Sequence, residues 1–194
     1  SPALNQINGL KRAYFKSKGN IICLMDSDDY FKREKLKKVN EYFRLHKEKK
    51  VLYNLPIVSL KNNFKMIEKK RNPNIWPIIF PTSCISVKRK YFKLFLKNIE
   101  INSYKNLEID ARINIFFNFY LNEYNVINKR LTHYNFDDFG ITSNIPKYSR
   151  KWWFRRSEAF DYLKLVLSKK KKKFKLNFDC IITNFVAKFL NYLL

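Results

Sequence analysis

Ten residues, Asn20-Ile21-Ile22-Cys23-Leu24-Met25-Asp26-Ser27-Asp28-Asp29, constrain this chain more than any other stretch. Five consecutive apolar residues followed by three carboxylates in four positions read as a buried strand that ends at a polar site. In a parallel α/β sheet ligands gather beyond the carboxyl ends of the strands, so acids placed there face the crevice a substrate would occupy. In extended chain Asp26 and Asp28 share one face and Asp29 takes the other. Paired carboxylates suit a hard divalent cation such as Mg2+ or Mn2+, whose remaining positions go to water and to phosphate oxygens of a substrate. The same letters also read as an N-cap cluster for a helix over Tyr30 to Leu45, since Asp and Ser cap well and acids favour a first turn. A strand-to-helix turn accommodates both readings.

The segment from Lys18 and Gly19 through Asp26-Ser27-Asp28-Asp29 resembles the central signature of the family 2 glycosyltransferases of GT-A fold, whose apolar strand leads into a DxD motif. Gln6-Ile7-Asn8-Gly9-Leu10 through Ala13 to Gly19 is similar to the helix preceding that strand, with Asn20 departing from the family's usual acid. The resemblance implies an α/β GT-A fold, incomplete at its N-terminus. It also implies that Asp28, with Asp26 beside it, holds Mg2+ or Mn2+ against the phosphates of a nucleotide-sugar, with Asp26 towards the nucleoside and Asp29 at the donor. Only twenty-five residues precede Asp26, fewer than the βαβ units that normally build a nucleotide pocket, so a further strand is expected upstream and residues 1–194 alone are not expected to be active.

Three later motifs extend the resemblance. Pro81-Thr82-Ser83-Cys84-Ile85-Ser86-Val87-Lys88-Arg89 is similar to an element that lies beside the donor sugar; Thr82 and Ser83 either offer hydroxyls to sugar or acceptor, or satisfy local backbone in a turn. Glu108 and Asp110 match the family's second acidic motif, which makes Asp110 the candidate general base and Glu108 its fallback; the job needs a carboxylate within hydrogen-bond reach of an acceptor hydroxyl. An acid at a helix start is also ordinary capping chemistry, with Arg112 as a nearby partner. Val126 to Tyr134 resembles the strand that closes the family's sheet, with Asn135 where an Arg is usual. His133 either reaches the diphosphate from there or is structural.

Between these motifs the periodicity predicts a helix from Asn5 to Lys18 capped by Gly19, and a helix over Tyr30 to Lys49 burying Leu36, Val39, Tyr42 and Phe43. It also predicts a strand from Val51 to Leu60 that meets an edge or bend at Pro56, a short helix at Tyr91 to Ile99 and a long apolar helix from about Asn106 through Tyr120. Residues Asn62 to Asn74 and Phe136 to Asn144 read as loops. Cys23, Cys84 and Cys180 are too few and too scattered for a disulfide framework or a zinc site, which favours a reducing, cytoplasmic setting.

Lys+Arg number 40 against 16 Asp+Glu, a formal charge of +24. Such an excess fits an anionic partner, nucleic acid or an acidic membrane surface. The Lys-, Asn-, Ile-, Phe- and Tyr-rich composition also follows from an A+T-rich coding sequence, so charge alone selects no partner. Residues 147–194 form a second segment after the catalytic part at 1–146. In it, Lys147 to Arg156 mixes cations with Trp152, Trp153 and Phe154, either capping a core or binding an anion, with Arg150 or Lys147 placed to neutralise a leaving diphosphate. Lys169 to Lys173 precede an amphipathic helix that either packs on the domain or lies on an anionic membrane surface. No apolar run is long enough to span a bilayer. The expected activity is inverting transfer of a sugar from a nucleotide-sugar to a glycan or lipid-linked hydroxyl, on the inner face of the cell membrane. The alternative is a basic, aromatic nucleic-acid-binding module, a less favoured partner because it leaves the three acids without a role.

Overall fold

The computed structural model describes residues 2–58, 79–100, 103–135 and 145–193. The expected loops at 62–74 and 136–144 lie outside them. The described residues form a mixed α/β fold around one five-stranded sheet of order β1-β4-β3-β5-β2. The strands are β1 (Ile21–Cys23), β2 (Tyr30–Phe31), β3 (Val51–Val58), β4 (Ile85–Lys88) and β5 (Val126–Tyr134). Only β3 and β5 run parallel; β4 is antiparallel to β1 and β3, and β2 is antiparallel to β5.

Alternation along the central strands decides which helices cover which face. Val51, Tyr53, Ile85 and Val87 point into a core closed by α1 (Pro2–Lys16), α3 (Arg89–Asn98) and α4 (Ile109–Ile115). Leu52, Ile21 and Cys23 point the other way, onto Val39 and Phe43 of α2 (Lys35–Leu45). A helical layer continues from α4 through α5 (Arg150–Ser168) to α6 (Phe178–Tyr192), with Ala111, Ile115, Ala159, Phe160 and Cys180 buried between them. Thus α5 shares a core with α4.

Several local expectations shift. The strand of Ile21 stops at Cys23 and lies at the sheet edge, half-buried and paired on one side. The helix before it ends at Lys16, and Gly19 is not left-handed; its carbonyl instead accepts from Arg89 Nε at 2.6 Å. Pro56 is tolerated in a central strand because β4 pairs only with Val51 to Tyr53, and the β3–β5 register slips on either side of Leu55. The helix at Ile109 changes to a π-helical turn over Phe116–Tyr120. Tyr30 and Phe31 form β2 rather than a first helical turn, and α2 begins only at Lys35.

That delay rotates the buried stripe of α2 by one residue. Leu36, expected inside, is 59% exposed, while Lys35, four residues before Val39 and eight before Phe43, is 0% exposed. Its ammonium donates to the Ser83 carbonyl at 2.5 Å and to Thr132 Oγ1 at 2.9 Å, and lies 3.7 Å above the Phe31 ring. Thr132 in turn donates to the same carbonyl and accepts from Asn54 Nδ2. One cation thereby joins α2, β2, β5 and the 3-10 turn Thr82–Cys84.

Burial pushes the Lys35 pKa down to about 8 from 10.5, with Cys84, Cys23 and Asp29 opposing the shift. Above pH 8 the unfolded chain therefore holds the proton more tightly than the folded one, so this group's cost falls as pH rises. In urea titrations, wild type should gain up to about 1 kcal/mol between pH 8 and pH 9 from this source. That gain should be missing in Lys35→Met. Lys35→Ala should lose about 3 kcal/mol at pH 7 through cavity and lost hydrogen bonds.

Candidate active site

The three acids after β1 do not continue as extended chain. Asp29 N–H donates to the Asp26 carbonyl at 3.3 Å, closing a turn over Ser27 and Asp28. Alternation therefore does not sort them. Asp26 is half-buried, Asp28 exposed and Asp29 buried at 7% exposure. None caps a helix, since the N-cap of α2 is Glu34.

Hydroxyls of the 3-10 turn hold this acidic loop. Ser83 Oγ accepts from Asp26 N–H at 2.8 Å, and the Thr82 side chain hydrogen-bonds the Asp26 carboxylate. Both hydroxyl residues are buried, so their first task is to fix the acids. Asp29 Oδ1 accepts from Asn135 N–H at 2.8 Å, which ties the loop to the end of β5, while Oδ2 is buried without a hydrogen-bond partner.

A second tie brings α4 to the same place. Asn114 accepts from Phe80 N–H and donates to the Phe80 carbonyl, both at 3.1 Å, so its amide pairs with the backbone just before Thr82. It also donates to the Asp110 carbonyl, one turn back. Asp110 lies in the first turn of α4 and accepts from Ala111 N–H at 2.6 Å. Arg112 does not pair with it; this buried guanidinium turns away to donate to the carbonyls of Glu100, Ser103, Tyr104 and Leu107. Glu108, the N-cap residue of α4, is held by Arg155 of α5 at 2.5 Å.

The electrostatics show that the two acidic groups share one environment. Burial raises the Asp110 pKa to about 7; Glu108 and Asp26 add to the rise, while Arg155 and the Ala111 N–H oppose it. Burial likewise raises Asp26 to about 6, opposed by Thr82 and assisted by Asp29 and Asp28. Asp29 is also raised, first by burial. Tyr134, at the end of β5, is pushed up to about 12 by burial and then by Asp110, Asp29, Asp26 and Asp28 together. Its phenol therefore feels the charge of all four carboxylates and stays protonated.

Asp28 makes no hydrogen bond or ion pair among the described residues, and Asp29 Oδ2 is an orphaned buried oxygen. These groups fit a divalent ion chemically: hard oxygen donors, with Lys35 and Arg155 the nearest opposing charges. No group of three His, Cys, Asp or Glu among the described residues is arranged to hold a metal ion, so at most two of these acids would bind one and substrate oxygens would complete its shell. A cavity of about 700 Å³ lies at the opposite end of β1, lined by Asn20, Ile21, Arg44, Lys88, Lys90 and Lys93 among others, and contains none of these acids.

Two other expected site residues have aromatic partners. His133 stacks on Tyr30 across the β2–β5 pair, with centroids 4.2 Å apart. Arg150 opens α5, exposed, with its guanidinium 5.1 Å from the Phe154 ring centre. Sequence reasoning passed over Lys35, Asn114, Tyr134 and Arg155. Lys35 alone left a signal, its place on the Val39/Phe43 stripe. No protein-family model matches this chain, and no curated protein matches it.

Because the folded Asp110 pKa of about 7 stands above the ordinary 3.8, its cost is absent below pH 4, grows between pH 4 and pH 7 and is fully present above that. Asp110→Asn should thus stabilise the fold by on the order of 2 kcal/mol at pH 8 and by little at pH 4. Thermal or urea unfolding at the two pH values checks both the sign and the dependence.

Proposed function

We propose that this chain is a metal-dependent glycosyltransferase of GT-A type, similar to family 2, acting on a nucleotide-sugar and a hydroxyl acceptor. The observation that carries the reading is the electrostatic coupling of Asp26, Asp28 and Asp29, from one loop, and Asp110, from a distant helix, to the same Tyr134 phenol. Glycosyl transfer by inversion needs a base on one side of the sugar and compensation of a departing diphosphate on the other. Asp110 takes the proton of the acceptor hydroxyl as its oxygen attacks the anomeric carbon; burial keeps that carboxylate basic near neutral pH. Glu108, engaged by Arg155, orients the start of α4. Asp28, with Asp26 beside it, would hold Mg2+ or Mn2+, which supplies positive charge to the diphosphate. Tyr134, kept protonated, can donate a hydrogen bond to the donor.

The basic groove at the other end of β1 favours a second reading, binding of nucleic acid without catalysis. Arg44, Lys88, Lys90 and Lys93 line it and could meet phosphates. Salt-dependent oligonucleotide binding unchanged by Asp28→Ala would support that reading.

Calorimetric titration of the full-length protein with a panel of nucleotide-sugars, with and without Mn2+, separates the two. One donor should bind only with metal, and Asp28→Asn should weaken that binding at least tenfold. Asp110→Asn should leave donor affinity within about threefold but lower kcat by about 10²–10⁴. Metal-independent binding, or none across the panel, would remove the transferase reading.

A further inference from the structure

The last helix is packed inside out. Towards α5 it turns Cys180, Thr183 and Ala187, all buried, and its polar contacts are Asp179 with Arg156 at 2.6 Å and Asn184 with Ser157 at 2.8 Å. Outwards it turns Phe178, Ile181, Ile182, Phe185, Phe189, Tyr192 and Leu193, which on an α-helical wheel fall within one arc of about 120° with no charged residue among them. Phe178, Phe185 and Tyr192 are 76%, 71% and 88% exposed. An amphipathic helix that buries its small residues and exposes its aromatic ones has a second surface to meet.

The charge beside this face chooses the occupant. The turn between α5 and α6 carries Lys169 to Lys173 and Lys175, all exposed. Lys169 is anchored to Glu100 at 3.0 Å and Lys170 sits 4.5 Å from the Tyr120 ring centre, which fixes the start of the run to the body of the domain. Lys171 then adopts a left-handed conformation, φ 54°, that turns the chain into α6. A second copy pressed onto the face would set the two lysine runs side by side, where like charges meet, or at opposite ends, where each faces no counter-charge. No described helix is long and apolar enough to cross a membrane, and α6 has only 15 residues, so it can lie on a bilayer but not span it.

We propose that the exposed face of α6 and the lysines at its N-terminal side form a docking surface for an anionic lipid bilayer. The helix lies in the plane of the interface, its aromatic residues among the acyl chains and Lys171, Lys172, Lys173 and Lys175 at the headgroups. The surface does not depend on the reaction assigned above, and its test reads no transfer activity.

The test is flotation of the full-length protein with vesicles of phosphatidylcholine containing about 30% phosphatidylglycerol, against pure phosphatidylcholine. Strong, salt-sensitive binding to the anionic vesicles alone is expected. F185D combined with F189D should weaken it at least tenfold while thermal midpoint and circular dichroism stay unchanged, because both side chains are exposed. K172E and K173E should each weaken it about fivefold or more. In F185W, emission should shift to the blue on adding anionic vesicles. Absence of flotation, or equal flotation on neutral vesicles, overturns the proposal. So does a concentration-dependent dimer in light scattering that F185D abolishes while vesicle binding is unaffected, or retention by a soluble acidic protein in place of vesicles.

Discussion

The ammonium of Lys35 on the Ser83 carbonyl is the interaction on which the arrangement turns. A buried cation is tolerated only where its hydrogen bonds are made, and here the acceptors are a backbone carbonyl and the Thr132 hydroxyl, with an aromatic face beneath. Those acceptors belong to segments nearly fifty and a hundred residues away along the chain. Ser83, fixed by its carbonyl, uses its hydroxyl to receive Asp26 N–H. From the other side Asn114 holds Phe80, so one short turn is pinned between α2 and α4. The acidic loop and Asp110 take their relative positions from that turn.

The site runs against the charge of the chain that holds it. In a protein of formal charge +24, four carboxylates act on one phenol, and three buried or half-buried cations of the described residues are otherwise employed. Lys35 is spent on backbone and Arg155 on Glu108, while Arg112 satisfies four carbonyls. Raised pKa values at Asp26 and Asp110 come first from burial and then from neighbouring acids, and they make these groups a standing cost to folding at neutral pH. A fold carries such a cost where a ligand or a proton transfer makes use of it. The same reasoning reads the outward face of α6, where exposed aromatic area is the unfavourable element.

Elements with strong local signals were legible. The strand before Asp26 follows from an unbroken apolar run and the helix after Arg89 from periodicity, while the closing strand to Tyr134 follows from resemblance. What misled was chemistry decided at a distance. Gly19 reads as a helix cap, yet Arg89 from beyond the sheet takes its carbonyl and the helix stops earlier. Leu36 reads as core, but pairing of Tyr30 and Phe31 with β5 delays the helix and turns Lys35 inwards instead. Arg112 reads as a partner for Asp110, but the 100–107 segment offers it four carbonyls. Of the candidate site, Asp26, Asp28, Asp29 and Asp110 converge, with Thr82 and Ser83 in support. His133 and Arg150 find aromatic partners elsewhere.

By itself the sequence determined that an apolar strand would run into acids, that a second acid would open a later helix, and that the tail would carry one apolar and one polar face. These are properties of neighbours along the chain, written in spacing and residue type. Tertiary structure alone decided that the two acidic groups meet, because the meeting depends on a buried lysine and an asparagine whose partners are remote in sequence. It also decided which face of the last helix stays outside. Periodicity separates two faces; only the surface offered by α5, shaped for small side chains, selects the one that is buried.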